Sequence, residues 1–513
     1  MANQNNLDGR NFFYLFYSGA RKILEHQQEI NKLNVFPVPD ADTGTNLAST
    51  VRAIIETIKP NRSYKETTGI IAEAALIGAR GNSGVIFAQF LNGIHEETDD
   101  CHTISLEEFA ITLKNSIRYL YDAIAEPVEG TMLTVIREWS EFMYEHKNSN
   151  SDFRSVFIKS LEAAKKSLKE TPQKLKVLAK AGVVDAGAKG FVLFLEGMIE
   201  FLKNYDLKKL ISAHQDIEIV EEIPEMSHET FNYRFCTEAL IKGESLEKTR
   251  IESTVKSYGD SVVIAGTQKM MRIHVHTDHP EKLMDELRHL GSIAYQKADD
   301  MRKQFMAAHQ RKWNIAIVTD SGCDLPEEIL NHYQVHIIPM NLIIGENQYL
   351  DKVTITPTQF YNILGNTSQK TSTSQPSEKA FTNLYSNLLT HYDSILSVHF
   401  SKELSGTWRG AKVAAEKVTA ETGKQISVLN SKTLSGAMGL LVYRVGMAIE
   451  AGRGHQEIVD NFLNWSNRSE VLVSVKSMKK IVESGRVSKV KGFIAQMLQI
   501  KPIVAVNNQG STY

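Results

Sequence analysis

From Leu7 to about Leu207, apolar residues recur at three- and four-residue steps, with Phe12, Phe16 and Ile23 early and Phe191, Phe194, Leu195 and Met198 late. Such spacing puts them on one helical face, so this stretch is predicted to be all-α. Its main breaks, residues 34–45 and 79–84, are rich in Pro, Gly, Asp and Asn and are predicted loops, with a helix starting near Val85. After an acidic stretch (residues 216–225) come strand-like runs, Ser261-Val-Val-Ile-Ala and Met271-Arg-Ile-His-Val-His, and a helical run over 280–290, a pattern that predicts a small α+β domain. From Trp313 onward, apolar strands near Ile315, Val335, Ser394 and Ser427 alternate with helical segments, as in a parallel sheet flanked by helices. Three domains are therefore expected, at 1–210, 226–308 and 313–513, with a linker near 297–312.

The length of 513 residues fits about three domains, each with its own core. Basic and acidic side chains nearly cancel, 58 against 60, so no global field favours nucleic acid or an anionic membrane, and at most transient membrane contact is expected. The first residues lack a basic segment followed by an apolar core, which points to a cytoplasmic protein. The three cysteines are far apart and form no C-x-x-C pair, so a disulfide framework is not expected.

Asp40 and Asp42 lie two apart in Asn34-Val-Phe-Pro-Val-Pro-Asp-Ala-Asp-Thr-Gly-Thr-Asn46. Both carboxylates can turn to one point, as Mg²⁺ requires, with Asn34 adding an amide oxygen; an Asx-rich turn with solvated acids is the competing reading. Gly78-Ala-Arg-Gly-Asn-Ser-Gly84 offers unobstructed N–H groups and the Ser83 hydroxyl ahead of a helix, either a phosphate cradle or a tight turn. In the middle domain, strand alternation points His274 and His276 to one face, and Cys236 could join them around Zn²⁺; ordinary buried histidines are the alternative. A metal there suits a structural or dimer-forming role. In the last domain, Thr319-Asp-Ser-Gly, Thr373-Ser-Gln-Pro-Ser377, Leu404-Ser-Gly-Thr407 and Glu483-Ser-Gly-Arg-Val-Ser488 follow apparent strand ends, where binding crevices form, although each alone also reads as a turn or cap. Their hydroxyls, the Gly406 N–H and the Arg486 guanidinium could together hold a carboxylate.

The Asp loop, the Gly-rich loop, Glu129-Gly-Thr-Met-Leu-Thr134 and Val184-Asp-Ala-Gly-Ala-Lys-Gly190 stand in the order found in dihydroxyacetone kinases and, more closely, fatty acid kinases, whose version of the first motif has Asn at position 34. The last domain resembles the DegV family of fatty-acid-binding proteins, the partner of such kinases. The resemblance implies a multidomain chain: a DhaL-like barrel of antiparallel helices, a small α+β middle domain and an α/β DegV-like domain. It implies ATP and Mg²⁺ as cofactors, with Asn34, Asp40 and Asp42 on the metal, Asn46, Gly81, Asn82, Ser83 and Gly84 at the phosphates, and Thr131 and Asp185 lining the nucleotide pocket. Cys236, His274 and His276 match the family's zinc ligands. Thr373, Ser374, Ser405, Gly406 and Thr407 would bind the acyl carboxylate with Arg486 nearby, and Phe493, Ile494 and Leu498 would suit its tail.

One departure is plain. The sequence stops at Tyr513, just after the strand-like Pro502-Ile-Val-Ala-Val506, whereas DegV proteins continue into elements carrying a histidine that contacts the carboxyl group. An incomplete DegV-like domain is therefore expected. The function implied is ATP- and Mg²⁺-dependent phosphorylation of a fatty acid carboxylate to an acyl phosphate, in a homodimer that could also exchange with separate DegV-type carriers. The rival readings are a dihydroxyacetone-type kinase and a non-catalytic lipid carrier or sensor.

Overall fold

The computed structural model describes residues 6–36, 42–149, 152–204, 232–366, 369–474 and 503–512. They form two compact units, 1–301 and 302–513. Among the described residues no helix is long and apolar enough to cross a membrane.

The first unit begins with the helices α1 (Gly9–Glu25), α2 (Gln27–Lys32), α3 (Thr43–Thr57), α4 (Tyr64–Gly78), α5 (Gly81–Glu96), α6 (Leu106–Asp122), α7 (Met132–Glu145), α8 (Phe153–Lys174), α9 (Lys176–Ala181) and α10 (Ala186–Asn204). Successive long helices pack side by side and α10 returns against α1, closing an all-α ring. Short connections between packed neighbours make them antiparallel. Aromatic rings fill the centre: Phe16 and Phe87 meet Phe194 edge-on at 5.1 and 5.2 Å, and Trp139 meets Phe191 at 5.5 Å. Helix starts are fixed by local chemistry, as where Ser105 and Glu108 form a reciprocal capping box on α6.

The middle segment is a βαββαβ fold: β3 (Phe235–Lys242), α11 (Lys248–Lys256), β4 (Gly259–Thr267), β5 (Met270–Thr277), α12 (Pro280–Leu290) and β6 (Ser292–Asp300). The strands lie in the order β4-β5-β3-β6, all antiparallel. Alternation divides the faces. Ala239, Ile241, Ile264, Ile273 and Val275 pack with Ile251, Val255, Leu283 and Leu287 of α11 and α12. On the opposite face Val263 and Ala265 join the core of the helical ring. Residues 123–125, following α6, also pair with the β4 edge, through Ala125 N–H to Val262 O (3.1 Å) and Ile264 N–H to Ala123 O (2.7 Å). The expected first and second domains are thus one compact unit, because the sheet's second face needs the helices to bury it.

Three boundaries differ from expectation. Helix α3 already begins at Thr43, inside the stretch expected to be loop to residue 45, and α5 begins at Gly81 rather than near Val85. The expected linker at 297–312 is largely structured, since Lys297 lies within β6 and Met301–His309 is helical.

In the second unit, β7 (Ile315–Asp320), β8 (His336–Ile338), β12 (Ser394–His399) and β13 (Gln425–Asn430) form a parallel sheet in the order β13-β12-β7-β8. Helical residues cover both faces: Met438, Leu441, Val445 and Phe462 pack with Ile317 and Leu396, and Phe381, Tyr385, Ala411 and Val418 pack with Val318 and Ile395. A second, antiparallel sheet joins β9 (Asn341–Ile344), β10 (Asn347–Leu350) and β11 (Thr371–Ser374).

Candidate functional site

The N-terminus of α5 is the meeting point of the first unit. Gly81 has φ +55°, and a Cβ there would lie 2.1 Å from Asn46 Nδ2, so only glycine lets the α5 start approach the first turns of α3. Asn46, Gly81 and Gly84 are thereby assembled, as the sequence predicts. Ser83 is half-buried, and Asn82 Oδ1 is buried without a hydrogen-bond partner among the described residues. Asn34 is buried, and its Oδ1 accepts the Thr43 hydroxyl at 2.8 Å. Asp42 stands immediately before α3; Asp40 lies outside the described residues.

The polar face of the middle sheet is turned to this point. The β3–β5 register places Cys236 opposite His276, Glu238 opposite His274 and Leu240 opposite Arg272. Glu238 Oε1 accepts the Gly81 N–H at 2.6 Å, and Glu238 Oε2 accepts Arg272 Nη2 at 2.5 Å, with both side chains almost wholly buried. Burial would raise the Glu238 pKa, but the Arg272 guanidinium, then His274, Lys297 and Arg80, hold it well below the usual carboxylate range. The Arg272 and Arg80 guanidiniums both lie against the Tyr295 ring, at 4.5 and 4.2 Å.

The ligand atoms of Cys236, His274 and His276 lie within 4.8 Å of one another, with Cys236 Sγ 3.8 Å from His274 Nδ1. Burial, then His274, lowers the His276 pKa to about 3, which keeps that ring neutral and its lone pair available. His274 Nε2 is buried without a hydrogen-bond partner among the described residues. Burial, then Glu238, with Asp299 and Asp42 adding to it, pushes the Cys236 thiol up; a bound cation would reverse that. One thiol and two neutral imidazoles fit Zn²⁺ with a fourth position left over. The influence of Asp42 on Cys236 shows that the expected magnesium loop and the expected zinc cluster face one another, rather than standing apart.

Thr131 and Asp185 are also brought together. Thr131 precedes α7 and donates its hydroxyl to Val128 O at 2.8 Å. The buried Asp185 carboxylate accepts the Ala188 N–H at 2.8 Å, and the Met132 N–H as well, tying the starts of α10 and α7. Burial raises its pKa to about 6 against these bonds.

In the second unit, the β11 end and the start of the Thr407–Thr422 helix converge. A Cβ on Gly406 would lie 1.7 Å from Gln375 Oε1, next to Thr373 and Ser374, both exposed. Ser405 and Thr407 share a 2.8 Å hydroxyl–hydroxyl bond. Arg486, Phe493, Ile494 and Leu498 lie outside the described residues. Sequence reasoning missed a buried chain behind this crevice: Asp320 Oδ2 to His399 Nδ1 at 2.9 Å, His399 Nε2 to Ser397 Oγ at 2.7 Å, and Ser397 Oγ to Tyr385 OH at 2.7 Å. Asp320 also accepts the Gly322 and Phe400 N–H groups, so it locks the ends of β7 and β12 together. It missed Glu238 and Arg272 too, although each lies two residues from a predicted ligand, the spacing that shares a strand face.

Three family models match the chain in succession: a DAK2 domain over residues 37–200, the middle domain of the fatty acid kinase family over 232–308, and the DegV family over 314–513. An uncharacterized protein of Staphylococcus saprophyticus is 31% identical over 313 residues, covering 58% of this chain and 56% of the relative. Protein YloV of Bacillus subtilis is 29% identical over 310 residues, with the same coverage. The chain thus spans a little over half the length of these curated relatives. Among solved structures, DegV, a fatty acid binding protein from Bacillus subtilis, is 26% identical, with TM-score 0.36, over 39% of this chain and 70% of that one. A fatty-acid-bound DegV family protein from Thermus thermophilus is also 26% identical, with TM-score 0.36, over 39% and 69%.

Proposed function

We propose that this chain, which carries a DAK2 domain, a middle domain of the fatty acid kinase type and a DegV domain in one polypeptide, transfers a phosphoryl group from ATP to a fatty acid carboxylate. The observation that carries the reading is the convergence of Asn46, Gly81 and the polar face of the middle sheet at the α5 N-terminus, within the two domains whose models are of kinase type. A fatty acid carboxyl ionises near the Glu value of roughly 4.3, so at neutral pH it is already a nucleophile and needs no general base. The barrier is repulsion between two anions. Asn34, Asp40 and Asp42 would hold Mg²⁺, which when bound neutralises and aligns the phosphates. Asn46 and the N–H groups and hydroxyl of residues 82–83 orient the phosphate chain, while Thr131 and Asp185 shape the nucleotide pocket. Cys236, His274 and His276 would hold Zn²⁺, fixing the sheet face against the phosphate loop. In the second unit Thr373, Ser374, Ser405, Gly406 and Thr407, with Arg486, hold the acyl carboxylate. Placing both functions in one chain raises the effective concentration of the acyl group, to about millimolar for a short tether.

The test is ATP turnover with oleate and with dihydroxyacetone, with and without Mg²⁺. Magnesium-dependent turnover with oleate is expected, and Asp42→Ala should lower it by at least about 100-fold while leaving oleate binding unchanged. Turnover with dihydroxyacetone alone would overturn the assignment of acceptor.

A further inference from the structure

The Glu238–Arg272 pair occupies a position that kinase chemistry reserves for an anion. A helix N-terminus exposes N–H groups that suit a phosphate, yet at α5 the Gly81 N–H is taken by the Glu238 carboxylate, which the middle sheet delivers from across the fold. Behind that carboxylate lies Arg272, 0% exposed, whose Nε and Nη1 find no acceptor among the described residues. A guanidinium has five donors in a fork matched to carboxylate or phosphate oxygens. Here one of its nitrogens is bonded to Glu238 and the other two are unused, an incomplete arrangement that a tetrahedral anion with more oxygens would complete. The buried Asn82 Oδ1, also unpartnered among the described residues, belongs to the same turn.

We propose that Arg272 is a phosphate-binding residue of the nucleotide site and that Glu238 is its internal competitor. In the nucleotide-free chain the Glu238 carboxylate satisfies Gly81 and neutralises Arg272. A nucleotide phosphate displaces it, accepts from the Gly81 N–H and from the free Arg272 nitrogens, and moves Glu238 away from the α5 start. The inference rests on the kinase reading above, and it assigns the middle domain part of the phosphate site. Direct competition has a sign that a purely structural strut lacks: removing the competing charge strengthens nucleotide binding.

The experiment is calorimetric titration of the full chain with Mg²⁺ and a non-hydrolysable ATP analogue, and separately with adenosine. Glu238→Gln should tighten the ATP analogue about 10-fold, because a charged competitor becomes a neutral one, and should leave adenosine unchanged. Since Glu238→Gln leaves a buried guanidinium without its counter-ion, a second variant guards against misfolding: Glu238→Gln with Arg272→Met replaces the ion pair by neutral groups, a change commonly tolerated. That double variant should bind the ATP analogue about 10-fold more weakly than the unmodified chain, again with adenosine unchanged. Equal or weaker analogue binding by a folded Glu238→Gln chain overturns the competition, and double-variant affinity equal to the unmodified chain overturns the Arg272 assignment. An unmodified chain that binds neither ligand overturns the kinase reading itself, and this inference with it.

Discussion

Asp185 shows how a single residue can trade stability for a site. Its carboxyl is buried at the junction of α7 and α10, and its pKa of about 6 exceeds the ordinary value of 3.8 because desolvation outweighs two backbone hydrogen bonds. Between pH 3.8 and 6 the folded chain therefore holds a proton that the unfolded chain has released. Stability must fall as pH rises through that window, and the full penalty remains above it. A displacement of about two pH units corresponds to roughly 3 kcal/mol. Asp185→Asn removes the charge and keeps an oxygen for the Ala188 N–H. It should raise the melting temperature at about pH 7.5, with the gain shrinking toward about pH 4, and thermal melts across that range are the measurement. A gain of equal size at both ends would mean that ionisation of Asp185 is not the cause. Loss of nucleotide affinity in the same variant would show that the penalty is kept for binding.

The pairing of α3 with α5 depends on Gly81, and here the limits of sequence reading become physical. Gly81→Ala would force a side chain into a positive φ and against Asn46 Nδ2, so it should cost about 1–2 kcal/mol and at least about 10-fold in nucleotide affinity. Thermal melts and calorimetry check the two parts, and unchanged nucleotide affinity in a destabilised chain would place the phosphates elsewhere. The helical ring and parallel sheet were legible because apolar periodicity is local: Phe12 and Phe16, or Ile315 and Ile317, announce their faces within a few residues. The start of α5 was not, because Gly81, Asn82, Ser83 and Gly84 are weak helix formers whose helicity comes from packing on α3. Cys236, His274 and His276 were legible as a metal set from ligand chemistry and alternation. Glu238 and Arg272 were not, because their significance comes from which residue faces Gly81 across the fold, and no spacing along β3 or β5 records that.

For the whole molecule, three sequence families are folded into two compact units, and the reason lies in a sheet with two faces to bury. Helices α11 and α12 cover only one of them. The other carries Val263 and Ala265 into the helical ring's core, along with Glu238 and Arg272, so separating the middle segment would expose apolar and charged groups together. Residues 1–301 should consequently unfold in one cooperative step, with far-UV and near-UV circular dichroism giving coincident transitions. Val263→Asp, which buries a carboxylate between sheet and helices, should cost about 3 kcal/mol or more and should lower the stability of ring and sheet alike. Two separate transitions in the 1–301 fragment, or a Val263→Asp effect confined to the sheet, would show that the ring and the sheet fold independently. The same coupling bears on function: if the sheet supplies Arg272 to the phosphates, Val263→Asp should weaken binding of the ATP analogue more than that of adenosine, since a displaced sheet loses its hold on the phosphate end first.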